Sequence, residues 1–235
     1  MRNALAAAHT GCGDYPDNTI ASFKEALASG AQIAEVDVHA AADGTAVLLH
    51  DDSPLLRTHS YEQLNQADVR IRLDASYEQH ELATLEQILQ LSAHEGISLN
   101  LDLKSAEAIE PTVRLIRRYG AENSAYITGC SDGMTERYPD IQVMLNTPVE
   151  LTEGERASYE SYAEFVCRAA KDAGYAGLNM KASTCLQPIV ERAHAVGLLV
   201  WVYTVDDPEQ MKQYAGMGVD AITTRNPKDL LNLLK

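Results

Sequence analysis

The stretch Ser98–Lys104, SLNLDLK, carries the clearest fold signal in the chain. Leucine occupies every second position, and Asn100, Asp102 and Lys104 occupy the positions after each leucine. Successive side chains of a strand point to opposite faces, so this alternation predicts a strand with one apolar and one polar face. The polar face ends in a carboxylate and an ammonium group, which directs attention to the carboxyl end of the strand.

A second stretch, Ile33–Val38 (IAEVDV), has the same design and places Glu35 and Asp37 on one face. Two further apolar runs end in a histidine, at His9 and at His50. The carboxyl ends of parallel strands meet at one edge or mouth of a sheet, so these polar side chains are expected to converge.

Along the whole chain, eight strand-like runs recur at intervals of about 29 residues, and most of them are followed by a helical pattern. This rhythm predicts an α/β fold, a (β/α)8 TIM barrel, for which ~250 residues are typical. An open doubly wound sheet is the alternative, since alternation alone does not close a barrel. The predicted strands are Ala4–His9, Ile33–Val38, Ser98–Lys104, Ala125–Thr128, Gln142–Leu145, Ala176–Met180, Leu198–Thr204 and Val219–Thr223, with an extra run at Ala46–His50.

The helical patterns begin at polar or proline residues and several end at glycine. Asn18 is a candidate N-cap for the first of them. Residues 51–83 are polar and weakly periodic, so we interpret them as an insertion after the second strand of a single domain spanning residues 1–235. The predicted helices are Asn18–Ser29, Thr84–His94, Pro111–Tyr119, Glu155–Ala173, Leu186–Val196, Pro208–Ala215 and Asn226–Leu234.

Composition limits the classes of partner. The 235 residues include 19 Lys+Arg and 34 Asp+Glu, a formal net charge of −15. Nucleic acids and anionic membranes reward basic surfaces, so neither is expected as the main partner. No apolar run approaches 18 residues, which argues against stable membrane insertion. The four cysteines show no CxxC spacing, and we expect a cytoplasmic protein with reduced thiols.

Three carboxylates, Glu35, Asp37 and Asp102, would repel one another at a barrel mouth unless a cation lay among them. Oxygen ligands suit one hard divalent ion, Mg²⁺ or Ca²⁺. His9 and His50 can share general acid and general base roles near neutral pH. Together with a lysine suited to a phosphate oxygen, the set predicts metal-assisted attack at a phosphate ester.

At this point the ordered motifs resemble the glycerophosphodiester phosphodiesterase family. The resemblance implies a (β/α)8 barrel that hydrolyses a small-molecule glycerophosphodiester to glycerol 3-phosphate and an alcohol with Mg²⁺ or Ca²⁺. It implies His9 and His50 as the acid/base pair, the three carboxylates as metal ligands and Lys104 as a phosphate contact, without saying which histidine is the acid. The motifs are His9-Thr10-Gly11, Pro16-Asp17-Asn18-Thr19, Glu35-Val36-Asp37-Val38, Asp43-Gly44, His50-Asp51, Arg57-Thr58, Thr84-Leu85, Leu101-Asp102-Leu103-Lys104, Tyr203-Thr204-Val205-Asp206 and Ile222-Thr223-Thr224.

Several positions depart from the family pattern. Thr10 stands where the family usually has a phosphate-binding Arg, and Asp17 and Asp102 stand where it usually has Glu. Tyr203 replaces a Trp, which makes Tyr203 a candidate substrate contact. Arg225 follows the eighth strand, where the family commonly has Asp. Because a barrel brings its first and last strands together, Arg225 is a candidate phosphate donor in place of the missing Arg.

Other functions stay open at this level. A phospholipase-D-like enzyme acting on lysophospholipid or sphingolipid is one alternative, because its ligand set is similar. A barrel that binds phosphodiesters without hydrolysing them is another, because Thr10 removes a charged phosphate donor. The sequence does not indicate the head group, the choice between Mg²⁺ and Ca²⁺, or the oligomeric state.

Overall fold

Eight parallel strands form a closed barrel in the computed structural model, which describes residues 4–10 and 12–235. Along the sheet β1 is followed by β9, β8, β7, β6, β5, β4 and β2, and β1 also pairs with β2. That last pairing closes the barrel and excludes the open sheet. The strands are β1 Leu5–Ala8, β2 Ile33–Ala40, β4 Ser98–Leu103, β5 Ala125–Gly129, β6 Gln142–Asn146, β7 Gly177–Lys181, β8 Leu199–Tyr203 and β9 Ala221–Thr224.

The extra run predicted after the second strand is β3, Ala46–Leu48, which pairs antiparallel with β2. The two strands form a hairpin through the Asp43-Gly44 turn. Gly44 has a φ of +80°, in the left-handed region that glycine enters without a steric penalty. The hairpin places the residues after β3 beside the carboxyl end of β2, and His50 is one of them.

Helices follow most of the strands and cover the outside of the barrel. Two of them, α2 and α3, lie in the predicted insertion, where the other regular structure consists of short 3₁₀ turns at Pro54–Arg57 and Ala75–Glu78. The helices are α1 Ile20–Ser29, α2 Tyr61–Leu64, α3 Ala67–Arg70, α4 Leu85–Glu95, α5 Ile109–Tyr119, α6 Met134–Arg137, α7 Glu153–Ala157, α8 Tyr159–Asp172, α9 Gln187–Ala195, α10 Pro208–Met217 and α11 Pro227–Leu233.

One predicted helix, Glu155–Ala173, is two helices in the structure, and that prediction was wrong. A capping box formed by Thr152 and Glu155 begins α7 early, and Ser158 ends it with a non-helical ψ of 47°. Tyr159 then begins α8, and its hydroxyl donates to the Thr184 carbonyl oxygen at 2.7 Å. Helical periodicity continues across Ser158, which is why the sequence pattern hides the break.

The apolar core between barrel and helices divides into two clusters. One contains buried residues from Ala8 to Val143, and the other contains Ala4, Ala6 and buried residues from Leu151 to Leu230. Trp201 fills the barrel interior, where its ring lies 4.7 Å from the ring of Tyr126. In the described residues no helix has the length and hydropathy needed to cross a membrane.

The insertion is anchored to the barrel mouth by its own small core. Tyr77 is buried there, and its hydroxyl donates to the carbonyl oxygen of Asp17 at 3.0 Å. His80 contacts the ring of Tyr15 edge-on, with centroids 5.6 Å apart. The insertion therefore packs against the loop after β1, at the same end of the barrel as the polar strand ends.

Candidate active site

The three predicted metal-ligand carboxylates lie together at the carboxyl ends of β2 and β4. Glu35 and Asp37 share one face of β2, and Asp37 stands opposite Asp102 in the parallel register. One oxygen from each carboxylate lies within 4.8 Å of the others. Glu35 and Asp37 are buried, so the cluster is held on rigid strands with little access to water.

The electrostatic environment of the cluster disfavours the ionised form of Glu35. Burial, followed by the charges of Asp37 and Asp102, raises the pKa of Glu35 well above its usual range, and the amide of Thr10 only partly offsets this. Lys104 lies opposite, with Nζ 2.7 Å from Asp37 Oδ1 and 2.5 Å from Asp102 Oδ2. Burial lowers the pKa of Lys104, but the two carboxylates outweigh it and the pKa is raised.

The donor set fits a divalent cation. It is made of carboxylate oxygens, the ligands that Mg²⁺ and Ca²⁺ prefer. Burial, followed by the charges of Asp37 and Asp102, raises the pKa of Glu35. One lysine does not neutralise three clustered carboxylates, so repulsion among them remains. A cation held by Glu35, Asp37 and Asp102 would relieve it.

Asn18 belongs to the same network, although its position before a helical pattern predicts an N-cap. The N-cap of α1 is Thr19, whose hydroxyl accepts from the Ser22 amide. Asn18 instead has a left-handed φ of 61° and directs its side chain at Asp37: its Nδ2 donates to Asp37 Oδ2 at 2.8 Å, and its Oδ1 accepts from the Asp37 amide. A polar residue just before a helix can either cap the helix or hydrogen-bond to another part of the chain. The sequence pattern does not distinguish these two roles.

Thr10 connects the loop after β1 to this network. Its Oγ1 accepts the Asn18 amide at 2.6 Å, and its own amide donates to Glu35 Oε2 at 3.1 Å. Thr10 is buried and provides no charge at this position. It therefore organises two carboxylates of the cluster, directly at Glu35 and through Asn18 at Asp37.

The two predicted catalytic histidines face the cavity from different depths. His9 follows β1, with its side chain 19 % exposed and its Nδ1 2.6 Å from the Thr10 carbonyl oxygen. A carbonyl oxygen can only accept, so Nδ1 carries a hydrogen, and whenever the ring is neutral the lone pair lies on Nε2. His50 follows β3, is 61 % exposed, and its Nδ1 lies 2.7 Å from Asp51 Oδ1.

Neutral polar side chains complete the cavity, which has a volume of about 200 Å³. Thr128 donates to Asn100 Oδ1 at 2.8 Å, and Asn179 Nδ2 donates to Asn146 Oδ1 at 2.9 Å. Except for Tyr203, the site prediction did not include these residues, although polar residues alternating with apolar ones inside buried strands are a usable signal. The neutral lining residues are Asn100, Thr128, Asn146, Asn179, Tyr203, Thr204 and Thr223.

Of the two remaining predicted contacts, the structure brings one into the cavity. Tyr203, at the end of β8, lines it, and burial followed by the charge of Asp102 raises its pKa. Arg225 lies outside the lining, with its guanidinium Nη2 3.3 Å from Asp17 Oδ2 and its amide bonded to Asp206. A phosphate contact by Arg225 stays a prediction. Gly11, in the first motif, lies outside the described residues.

A polar cavity at the carboxyl ends of barrel strands, with three carboxylates, a lysine and two histidines, defines the class of protein. It is a (β/α)8-barrel enzyme equipped for phosphate esters, because its cationic and acid/base groups surround one small volume.

Comparison with known proteins specifies that class. The family model for the glycerophosphoryl diester phosphodiesterase family matches residues 9–229. A Mycobacterium tuberculosis protein named probable glycerophosphodiester phosphodiesterase 2 is 32 % identical over 239 residues, covering 94 % of this chain and 86 % of its own. The chain belongs to the glycerophosphoryl diester phosphodiesterase family, and is a phosphoric diester hydrolase.

Solved structures agree on the fold. An Oleispira antarctica phosphodiesterase, solved in complex with the product sn-glycerol-3-phosphate, superposes with a TM-score of 0.80 at 21 % identity. The match covers 99 % of this chain and 97 % of that one. At this identity the likeness establishes the barrel, and the chemistry must be argued from the residues present.

Proposed function

We propose that the protein hydrolyses glycerophosphodiesters to sn-glycerol 3-phosphate and an alcohol. The observation that carries the proposal is the convergence of Lys104, His9 and His50 around the carboxylate cluster in one cavity. Family membership supports the substrate class, and the solved relative that holds sn-glycerol-3-phosphate as product supports the product.

In the proposed mechanism His9 acts on the glycerol and His50 on the alcohol. Nε2 of His9 removes the proton of the glycerol hydroxyl next to the phosphate, and that oxygen attacks phosphorus. His50 donates a proton to the leaving alkoxide. Water then opens the resulting cyclic phosphate with the two roles reversed. The assignment follows depth: the alcohol leaves toward solvent, where His50 lies, and His9 is the less exposed ring.

The carboxylate cluster and Lys104 organise the phosphate in this proposal. Glu35, Asp37 and Asp102 would hold Mg²⁺ or Ca²⁺, which when bound polarises a phosphoryl oxygen and offsets developing negative charge. Lys104 is held between Asp37 and Asp102 and provides a fixed positive charge for a non-bridging oxygen. Thr10 and Asn18 keep two of the carboxylates in place.

Two further contacts belong to the proposal. Tyr203 presents a hydroxyl within the cavity and is proposed as a substrate hydrogen-bond partner. Arg225 is proposed to reach the phosphate by leaving Asp17, an exposed ion pair that costs at most about 1 kcal/mol to break.

The direct experiment is phosphorus NMR of glycerophosphocholine and glycerophosphoethanolamine with the purified chain, with Mg²⁺, Ca²⁺ or EDTA. We expect sn-glycerol 3-phosphate to form with metal and not with EDTA. A cyclic phosphate that accumulates and persists would instead assign a lyase-type reaction. Substrate binding in calorimetry without any product would indicate a barrel that binds phosphodiesters only.

A further inference from the structure

A second depression, here called the rim pocket, lies beside the active-site cavity at the same end of the barrel. It has a volume of about 410 Å³ and is formed by the loops after β6 and β7, which belong to the face where barrel enzymes bind substrate. Its cationic side chains are Arg156 and Lys181, and its exposed apolar side chains are Val149 and Leu186. The volume is sufficient for the head group of a small substrate.

The rim pocket is connected to the active-site cavity through β7. Lys181 lies two residues beyond Asn179, which lines the cavity, so the two share one face of the strand and are about 7 Å apart. On the neighbouring strand Lys181 stands in register with Tyr203, another cavity residue. Since β7 lies across the barrel from β2, an alcohol whose oxygen is protonated by His50 reaches Lys181 by extending across the mouth of the cavity.

The pocket contains two cationic side chains, Arg156 and Lys181, that form no ion pair among the described residues. Within the described chain no carboxylate oxygen lies within 4.0 Å of the charged atoms of Arg156 or Lys181. Glu150 lies in the lining, and Glu153 and Glu155 lie in the first turn of α7 beside Arg156, so the charge around the pocket is mixed. An anionic group that enters the pocket can therefore pair with Arg156 and Lys181 without displacing an existing ion-pair partner.

We propose that the rim pocket binds an anionic group, a carboxylate or a phosphate, on the alcohol portion of the substrate. The inference rests on the proposed function and deepens it, because it assigns a preference for glycerophosphodiesters whose alcohol carries negative charge. Arg156 and Lys181 supply the charge, and Val149 and Leu186 line the path with apolar surface. A cationic alcohol such as choline gains nothing from this pocket.

The test compares glycerophosphoinositol with glycerophosphoinositol 4-phosphate, which differ by one phosphate on the same alcohol. The variant Arg156→Gln/Lys181→Gln is compared with Arg114→Gln/Lys171→Gln, which removes the same charges from α5 and from the last turn of α8. Steady-state kinetics and calorimetric binding are measured for both substrates at low and at physiological salt.

In the Arg156→Gln/Lys181→Gln variant we expect kcat/KM for glycerophosphoinositol 4-phosphate to fall about fivefold relative to kcat/KM for glycerophosphoinositol. The fall should come mainly from a higher KM, because about this much is lost with two exposed ion contacts. The difference should shrink with added salt, and the control variant should leave the ratio unchanged. If wild type and both variants show the same ratio of kcat/KM between the two substrates, the assignment of the rim pocket is overturned. The proposed function is then left intact.

If no glycerophosphodiester is hydrolysed, the proposed function fails. Calorimetric binding of the two compounds then tests the rim pocket separately. Tighter calorimetric binding of the phosphorylated compound by wild type than by the first variant would support it, and equal binding would overturn it. Sedimentation with phosphatidylserine vesicles tests the alternative that Arg156 and Lys181 bind an anionic lipid surface. Vesicle binding lost only in the first variant, with an unchanged substrate ratio, would overturn the inference and assign these cations to a lipid surface.

Discussion

The active-site cavity has two chemically different sides. β1, β2 and β4, with the residue after β3, contribute its charged and acid/base groups, including Glu35, Asp37, Asp102 and Lys104. Among the described residues that line the cavity, those from β6 to β9 are all neutral: Asn146, Asn179, Tyr203, Thr204 and Thr223.

One side of the barrel mouth therefore carries the reactive groups, and the other side carries groups that can recognise the substrate. On the charged side burial, followed by the charges of Asp37 and Asp102, raises the pKa of Glu35, so ionising this carboxyl opposes folding unless a cation is bound. The neutral side can hydrogen-bond hydroxyl groups without such a cost, as the paired amides of Asn146 and Asn179 illustrate. Substitutions on the charged side should therefore change kcat, and those on the neutral side should change KM.

The largest effect is expected from His9→Ala and His50→Ala, each lowering kcat by about 10²–10⁴ because proton transfer is lost. A glycerophosphodiester with a p-nitrophenol leaving group sharpens the test, since that anion departs without a proton. We expect this substrate to rescue the His50 variant and not the His9 variant. His94→Ala, on exposed α4, is the control. Rescue of the His9 variant alone would reverse the two roles.

Glu35→Gln should lower activity about a hundredfold and yet stabilise the metal-free protein. In EDTA at pH 7 we expect the free energy of unfolding to rise by about 1 kcal/mol. Burial and the neighbouring carboxylates raise the pKa of Glu35, so the unfolded chain ionises first and wild type loses stability as pH increases above about 4. Below that pH the gain should disappear.

Denaturant unfolding between pH 3.5 and 8 measures this effect, with Glu164→Gln on exposed α8 as the control for charge removal. Saturating Mg²⁺ or Ca²⁺ should reverse the order, because binding to the folded state stabilises wild type only. Equal stabilities of wild type and the Glu35 variant at every pH in EDTA would show that the cluster does not oppose folding.

On the neutral side, Asn146→Ala should raise KM about three- to tenfold and leave kcat within about twofold. The expected size is that of one lost neutral hydrogen bond, about 0.5–1.5 kcal/mol. Initial-rate kinetics on glycerophosphocholine measure it, and Asn123→Ala outside the cavity is the control. A fall in kcat with unchanged KM would break the comparison, because it would place transition-state contacts on this side.

The smallest effect is expected from Arg225. It follows β9 and carries a charge, so a role for it in substrate binding would contradict the division into a charged and a neutral side. If it reaches the phosphate, Arg225→Ala should raise KM about threefold, the scale of an exposed ion contact. Asp17→Asn, which removes the carboxylate now paired with it, should then lower KM. Unchanged kinetics in both variants would remove Arg225 from the site and leave the neutral side uncharged throughout.

Much of this organisation was predictable from short stretches of sequence. The alternation in Ser98–Lys104 and Ile33–Val38 identified the faces that carry Asp102, Glu35 and Asp37, because strand side chains repeat every second residue. The break at Ser158 and the contact from Asn18 to Asp37 were not predicted. Both depend on side chains that act outside the local periodicity.

The strand–helix rhythm, and the strand ends that carry carboxylates, histidines and a lysine, can be predicted from the amino-acid sequence because these features are encoded within a few consecutive residues. Tertiary contacts were needed to show that β1 pairs with both β9 and β2, which closes the barrel, and that Thr10 and Asn18 organise the carboxylates. They were also needed to show that the neutral side completes the cavity and that Arg225 pairs with Asp17. Such contacts join residues distant in sequence, so they depend on barrel closure and strand register, which no local pattern encodes.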